Sequence, residues 1–474
     1  MFIFVTDSRF CEMKTKQLVS MVLMVCLLAG CHCSEKGNRA LPIGVFDSGT
    51  GGLTVLEKIL TLDAFDNVTG IQTPDGVPDF VAEDFQYLAD QANMPYGVYD
   101  AQGNAALLRR LVLDDARFLQ GDRYCTNAAE TQPTGKKAPC KILVIACNTA
   151  TAYGLEDVRA MLDSLGGGTK VIGVINAGVK ATLDALEGES EPFAVGVLAT
   201  PGTISSGAYE RTLRAEIAAR TIQTPVTIVN QAGYGFAEAV DSEPDYVNPA
   251  QTAPRESYRG PRLGTADPDI KEELLDVYNF EPDGLLYRSV GPLKLDLQLN
   301  SAANYARFNL VSLVERHRAS GSRAPLKAII LGCTHYPFLL ETLWRTVEEL
   351  RGYQRDGAYP YRDLLPENLA FIDPARYVAI ECYRALQEDG LLKAASAAQP
   401  RSVKGFISVP AASLDPACRT GEGALTFEYK YGRPSSIEDT GTRVVPFSDD
   451  NIDANNRARI RALLPACARE LFSE

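Results

Sequence analysis

The chain has 474 residues, 46% of them apolar and 23% charged, with 47 Lys and Arg against 60 Asp and Glu. That length allows about two to four domains around a sizeable core, and the composition excludes disordered, collagen-like and multi-span membrane classes. A net charge of −13 argues against nucleic-acid binding through phosphates, and three histidines leave little room for a His-built metal site.

From the N-terminus, Lys14 and Lys16 precede an apolar run from Leu18 to Leu28 that ends in Leu28-Ala29-Gly30-Cys31. A charged region, a short apolar core and a small-residue cleavage site are the parts of a secretory signal, and the run falls short of the roughly 20 apolar residues that span a membrane. The ending resembles the bacterial lipoprotein signal. That resemblance implies a start at Met13, loss of residues 1–30, lipidation of Cys31 and a tether over residues 31–40. The mature chain is then expected in the cell envelope, lipid-anchored to the membrane and facing the periplasm or exterior; with the signal unused it is expected in the cytoplasm.

Apolar runs of strand length follow at Ile43–Phe46, Ile142–Ala146, Val171–Val174, Ala194–Leu198, Val226–Val229 and Ala328–Leu331, with helical patterns at Leu53–Leu60, Ala150–Leu165 and Phe338–Leu350. Short continuous apolar strands alternating with helices indicate parallel sheets covered on both faces, an α/β class. Between Cys125 and Cys140 a Gly/Pro/Thr-rich segment reads as an inserted loop, and in an oxidising compartment a disulfide between the two is expected to close it. The absence of any C-x-x-C removes zinc-ribbon and thioredoxin-type readings.

The chain also repeats itself. Ile43-Gly44-Val45-Phe46-Asp47-Ser48-Gly49-Thr50 resembles Val195-Gly196-Val197-Leu198-Ala199-Thr200-Pro201-Gly202, and Val144-Ile145-Ala146-Cys147-Asn148-Thr149 resembles Ile330-Leu331-Gly332-Cys333-Thr334-His335. The second copy is longer by a Pro/Gly/Arg/Asp-rich insertion at 248–303 with one helix at Asp269–Tyr278. The expected architecture is two pseudo-symmetric lobes with parallel, flavodoxin-like sheets facing a central cleft, where ligands bind outside the strand ends. Lobe 1 covers 41–175 with an insertion at about 119–140; lobe 2 covers 176–336; 337–410 returns to lobe 1; and 411–474 is an extension. Past Asp373 the chain continues with a helix at Pro374–Gln387, a strand at Gly405–Val409, a loop at Ala411–Asp449 and a helix near Asn455–Phe472, and this stretch carries no recognisable site chemistry.

Cys147 follows an apolar strand and precedes a helix start, where backbone N–H groups and the helix dipole favour thiolate; Cys333 is expected in the same setting. Singly, a buried strand-end Cys is a packing residue. Two in repeat-related positions across one cleft are equivalent acids and bases on opposite faces of a substrate, the arrangement that inverts a stereocentre. Asp47 and His335 are placed to assist the thiols, although Asp47 alone is equally a cap for Ser48–Gly52 and His335 alone a core histidine. The turn Asp47-Ser48-Gly49-Thr50-Gly51-Gly52 lacks dinucleotide or P-loop spacing and fits a carboxylate ligand better.

Asp47-Ser48-Gly-x-Gly-Gly, Met94-Pro95-Tyr96-Gly97, Ala146-Cys147-Asn148-Thr149-Ala150-Thr151, Gly202-Thr203-Ile204-x-Ser206-Gly207-x-Tyr209 and Leu331-Gly332-Cys333-Thr334-His335-Tyr336-Pro337 resemble glutamate racemase, in the family's order, over about residues 41–410. The resemblance implies cofactor-independent, two-base racemisation of glutamate, with no metal, a homodimer, and a role in supplying D-glutamate for peptidoglycan and the cell wall. It implies Cys147 and Cys333 as the proton-transfer pair, with Asp47 and His335 beside them. Substrate contacts are implied for Asp47, Ser48, Tyr96, Gly97, Asn148, Thr149, Thr334 and His335. Two departures stand out: the family's Val-Glu-Glu-Gly reads Val240-Asp241-Ser242-Glu243, shortening one assisting carboxylate, and the family works in the cytoplasm without a lipoprotein signal. An aspartate or other amino-acid racemase, and a non-catalytic lipoprotein binding dicarboxylic amino acids, stay open as alternatives.

Overall fold

A computed structural model describes residues 39–265, 268–290, 293–393 and 401–472. The signal segment, Cys31 and all but the end of the tether lie outside the described residues. No described helix is long and apolar enough to cross a membrane.

Two sheets carry the architecture. The first contains β1 (Ile43–Asp47), β2 (Phe85–Ala89), β3 (Ile142–Ile145) and β4 (Lys170–Gly173); the second contains β5 (Phe193–Ala199), β6 (Val226–Ala232), β7 (Leu326–Gly332) and β8 (Ala370–Ile372). In space the first runs β2-β1-β3-β4 and the second β6-β5-β7-β8, so the strands of the internal repeat occupy matching places. All these pairings are parallel. β1, β3 and β5 are buried along their whole length, which is why they read as unbroken apolar runs instead of alternating ones.

The first sheet is extended by β9 (Val403–Pro410), parallel to β2, and β10 (Thr442–Pro446), antiparallel to β9. β2 and β10 carry no clear strand signature in the sequence, and β10 lies within the Ala411–Asp449 stretch whose composition reads as loop. The 337–410 segment divides differently from expectation: β8 pairs with β7 in the second sheet, and the chain rejoins the first sheet at β9. Helix Ala375–Glu388 lies between, packed on the helices Leu53–Leu60 and Val174–Ala185. The insertion in the second lobe holds a short turn of helix at Leu275–Tyr278 and a β-hairpin, Leu285–Val290 with Leu293–Leu299, that composition had hidden.

The expected loop-closing disulfide is not formed: Cys125 and Cys140 are free thiols, as are Cys147, Cys333, Cys382, Cys418 and Cys467. Backbone bonds secure this insertion instead. A two-stranded ribbon pairs Arg123–Tyr124 with Gly135–Lys136, and Cys125 N–H donates to the Val444 carbonyl at 3.1 Å. At the base of the first lobe, Lys141 and Glu83 form an ion pair of 2.5 Å whose side chains are 1% and 2% exposed. Lys141 completes its donors on the carbonyls of Arg39 and Leu391, the full pairing a buried ammonium requires.

Candidate active site

Both cysteines sit at C-terminal strand ends, one per lobe, and are 6% and 7% exposed. Cys147 caps the helix Asn148–Leu165; its sulfur accepts the Ala150 N–H at 3.4 Å and its thiol donates to Ser48 Oγ at 3.7 Å. Burial, then the charge of Asp47, push the Cys147 thiol well above its ordinary range, and the helix-start N–H offsets only part of this. The expectation that the helix terminus favours thiolate here is therefore reversed, because desolvation wins.

The two settings also differ. After Cys333 the chain makes a 3-10 turn, Tyr336–Leu339, and the α-helix begins at Leu340. In place of a helix terminus, Cys333 has a histidine: His335 Nδ1 lies 3.5 Å from its sulfur, and His335 Nε2 lies 3.0 Å from Asp241 Oδ2. Burial alone disfavours an imidazolium, but the Asp241 carboxylate and the Cys333 sulfur outweigh it and hold His335 well above its ordinary value. Asp241 follows the short helix Phe236–Val240. Its burial raises it, yet His335 and then Arg459 overcome this and keep it well below the usual carboxylate range.

Asp47 ends β1. One oxygen accepts the N–H groups of Gly52 at 2.8 Å and Gly49 at 3.2 Å, while Oδ1 is buried without a hydrogen-bond partner. Burial lifts its carboxyl above the usual range, and the His335 charge pulls it back only in part. It therefore caps the turn and keeps a free, buried oxygen. Close approach explains the glycines: a Cβ on Gly51 would stand 2.5 Å from His335 Cε1, and one on Gly52 2.3 Å from Asp47 Cβ. The turn of lobe 1 thus lies directly against the Cys333 loop of lobe 2, and the Thr54 hydroxyl donates to the Thr334 carbonyl at 3.4 Å.

Asn148 and Thr149 face the same junction. Tyr209 donates to Asn148 Oδ1 at 2.6 Å, and the Thr149 hydroxyl shares hydrogen bonds with Thr200 (2.8 Å) and Thr203 (3.0 Å) from lobe 2. Gly97 packs against Thr200 and Gly202, where an added Cβ would come within 2.9 Å of Thr200 Cβ. Tyr96 is set apart. Its hydroxyl lies 2.6 Å from Asp90 and 2.8 Å from Asp115, inside the lobe, so its side chain serves a buried acid pair. A single phenolic proton serves one carboxylate, so the second contact needs a protonated acid; burial and the Asp90 charge raise Asp115 accordingly.

Residues beyond the sequence expectations complete the site. Thr200, Thr203 and Tyr209 join it through their bonds to Thr149 and Asn148, and Arg459 joins it from the C-terminal extension, whose sequence carries no site signature. A cavity of about 10 Å³, room for one water, lies beside Asn148, Cys333, Thr334 and Asp373.

Compared with known proteins, the chain matches no family model. It is similar to the curated glutamate racemase of Aquifex pyrophilus, 34% identical over 173 residues, 36% of this chain and 50% of that one. The glutamate racemase of Corynebacterium diphtheriae is 31% identical over 216 residues, 45% of this chain and 64% of that one. The chain spans about half the length of most of the curated relatives it matches. Among solved structures, a glutamate racemase isoform of Bacillus anthracis aligns with a TM-score of 0.43 at 22% identity, covering 78% of this chain and 89% of that one. The Francisella tularensis glutamate racemase solved with D-glutamate aligns with a TM-score of 0.41 at 19% identity, covering 84% and 95%.

Proposed function

We propose that this protein racemises glutamate without a cofactor, using Cys147 and Cys333 as the two proton-transfer groups. The observation that carries the reading is the pair of buried thiols at matching strand ends of two related lobes, each beside its own assisting groups: Ser48 and Asp47 for Cys147, His335 and Asp241 for Cys333. The similarity to curated glutamate racemases supports it.

In the reaction one sulfur, as thiolate, takes the Cα proton from one face while the other, as thiol, gives its proton to the opposite face, leaving the enzyme with the protonation states exchanged. The environments supply unlike partners. Cys147 is held as the thiol by burial and Asp47, and the His335 imidazolium stabilises negative charge developing at the Cys333 sulfur. Asn148, fixed through its carbonyl by Tyr209, together with Thr149 and Thr334, would hold the α-carboxylate as charge builds at Cα, and Ser48 and the Gly97 backbone would meet the distal carboxylate. Because both thiols are under a tenth exposed, substrate enters only when the lobes part.

Chiral chromatography of L- and D-glutamate and of L- and D-aspartate incubated with the protein tests the reading. Interconversion of glutamate in both directions supports it; turnover of aspartate alone selects the aspartate racemase alternative, and binding of either without turnover selects the non-catalytic one. The lipid anchor at Cys31 and the envelope location belong to the same proposal. A Cys31→Ala variant should accumulate as unprocessed precursor, and wild type retaining residues 13–30 would overturn the anchor.

A further inference from the structure

The C-terminal extension returns to the acid–base machinery. Helix Ala454–Leu463 carries Arg459, whose Nη2 meets Asp241 Oδ1 at 2.7 Å while the other Asp241 oxygen holds His335 at 3.0 Å, and His335 reaches the Cys333 sulfur at 3.5 Å. Arg459 also donates to the Val240 carbonyl and lies 4.6 Å over the Phe338 ring. Its side chain is 14% exposed and that of Asp241 1%. These contacts fix the guanidinium from three sides, through the residue before Asp241, through Asp241 itself and through the aromatic ring that follows the Cys333 loop.

We propose that Arg459 is a positioning residue of the racemase site: it fixes the Asp241 carboxylate, which aims and charges His335 at Cys333, so that the C-terminal extension is a working part of the catalytic centre. This rests on the function proposed above. A buried carboxylate held by one oxygen is free to rotate and costly to keep ionised; held at both, it presents one lone pair to His335 in one orientation. Asp is one methylene shorter than Glu, and a guanidinium behind it supplies the second support. The groups facing Asp241 are His335 from the Cys333 loop, Arg459 from the extension, Glu238 and Glu243 on either side of it, and Asp47 and Tyr87 from lobe 1. Arg459 and His335 are the cations in this set, so removing Arg459 leaves an acidic surrounding that works against ionised Asp241.

The test is a set of kcat and kcat/KM profiles against pH for L- and D-glutamate with wild type, R459M, R459K, D241N and R459M/D241N. In R459M, kcat is expected to fall about 10- to 100-fold, as misplacement of a catalytic group does, with KM little changed. The acid limb should move to higher pH, because Asp241 loses a cation that keeps it ionised. R459K should return the acid limb and part of the rate, and R459M/D241N should be no slower than D241N. An unmoved acid limb in R459M, or losses that multiply in the double variant, would reduce Arg459 to a staple of the extension and overturn the proposal. If R459M does not fold by circular dichroism, R459Q, which also removes the charge, carries the same cycle. A loss that vanishes in the D241N background supports the assignment; no loss, or equal loss in both backgrounds, overturns it. Wild type that fails to interconvert glutamate defeats the proposed function itself, whereas active wild type with unshifted Arg459 variants defeats this inference alone.

Discussion

The hydroxyl of Tyr209 donates to Asn148 Oδ1 at 2.6 Å, a buried bond that joins a helix of lobe 2 to the first residue of the helix behind Cys147. Tyr209→Phe removes the donor and strands the amide oxygen, a change worth about 1–3 kcal/mol. Urea denaturation should show that loss, and kcat/KM for glutamate should fall as Asn148 loses its fixed orientation. Unchanged values of both would mean that water replaces the phenol.

Two-base chemistry leaves an isotopic record. In D2O the product enantiomer should carry deuterium at Cα while starting enantiomer recovered early stays protonated, as read by mass spectrometry after chiral separation. Cys147→Ala and Cys333→Ala should each lower racemisation by about 10²–10⁴-fold, the usual cost of an acid–base group. Equal early labelling of both enantiomers would point to a single base.

On the proposed function, substrate reaches the buried thiols only when the lobes part, so the two thiols should report closure. Under non-reducing conditions Cys147 and Cys333 should be alkylated slowly and more slowly still with glutamate bound. Peptide mapping should find Cys125 and Cys140 unpaired, in keeping with their free thiols.

Burial, with Glu243 adding its charge, raises Glu238 to about 7. In the unfolded chain the same group ionises near 4.5, so the unfolded state gains charge first as pH rises. The resulting penalty on folding is absent well below 4.5, grows between the two values and is complete above about 7. Glu238→Gln should therefore stabilise the protein at pH 8 by at most about 3 kcal/mol and much less at pH 5. Urea titrations at the two pH values check this; equal gains at both would show that the gain does not arise from ionisation.

Lys141 and Glu83 give the opposite case, a buried charge pair with every donor used. Lys141→Met should cost about 3–5 kcal/mol by leaving Glu83 uncompensated, and Lys141→Met with Glu83→Leu should recover most of it. Thermal melts of the two variants decide whether the pair acts as a unit.

The parts of the fold legible in the sequence were those with a local signature. β1, β3 and β5 are apolar over nearly their whole length and β7 from Ala328 to Leu331, and the matching of Cys147 to Cys333 is a repeat of short words. β2 and β10 are short or mixed in pattern, and their strand character comes from the neighbours they pair with. The site divides the same way. The cysteines, Asp47, Ser48 and His335 sit in contiguous motifs, whereas Arg459 reaches Asp241 across more than two hundred residues of chain and leaves no local mark. The unlike environments of the two thiols were equally hidden, since desolvation of Cys147 and the His335–Asp241 relay depend on tertiary burial.

The pairing of β9 with β2 joins Val403 to Phe85 and Ile407 to Ala89. During translation at about 5–20 residues per second, β2 therefore leaves the ribosome tens of seconds before the strand that covers it. For that interval the first sheet presents an open edge of Phe-Gln-Tyr-Leu-Ala, a ready template for a neighbouring nascent chain. Chains that end before Val403 keep that edge permanently, so premature termination should yield inclusion bodies in place of a shortened folded protein, and productive synthesis should depend on a holdase until the last strands arrive.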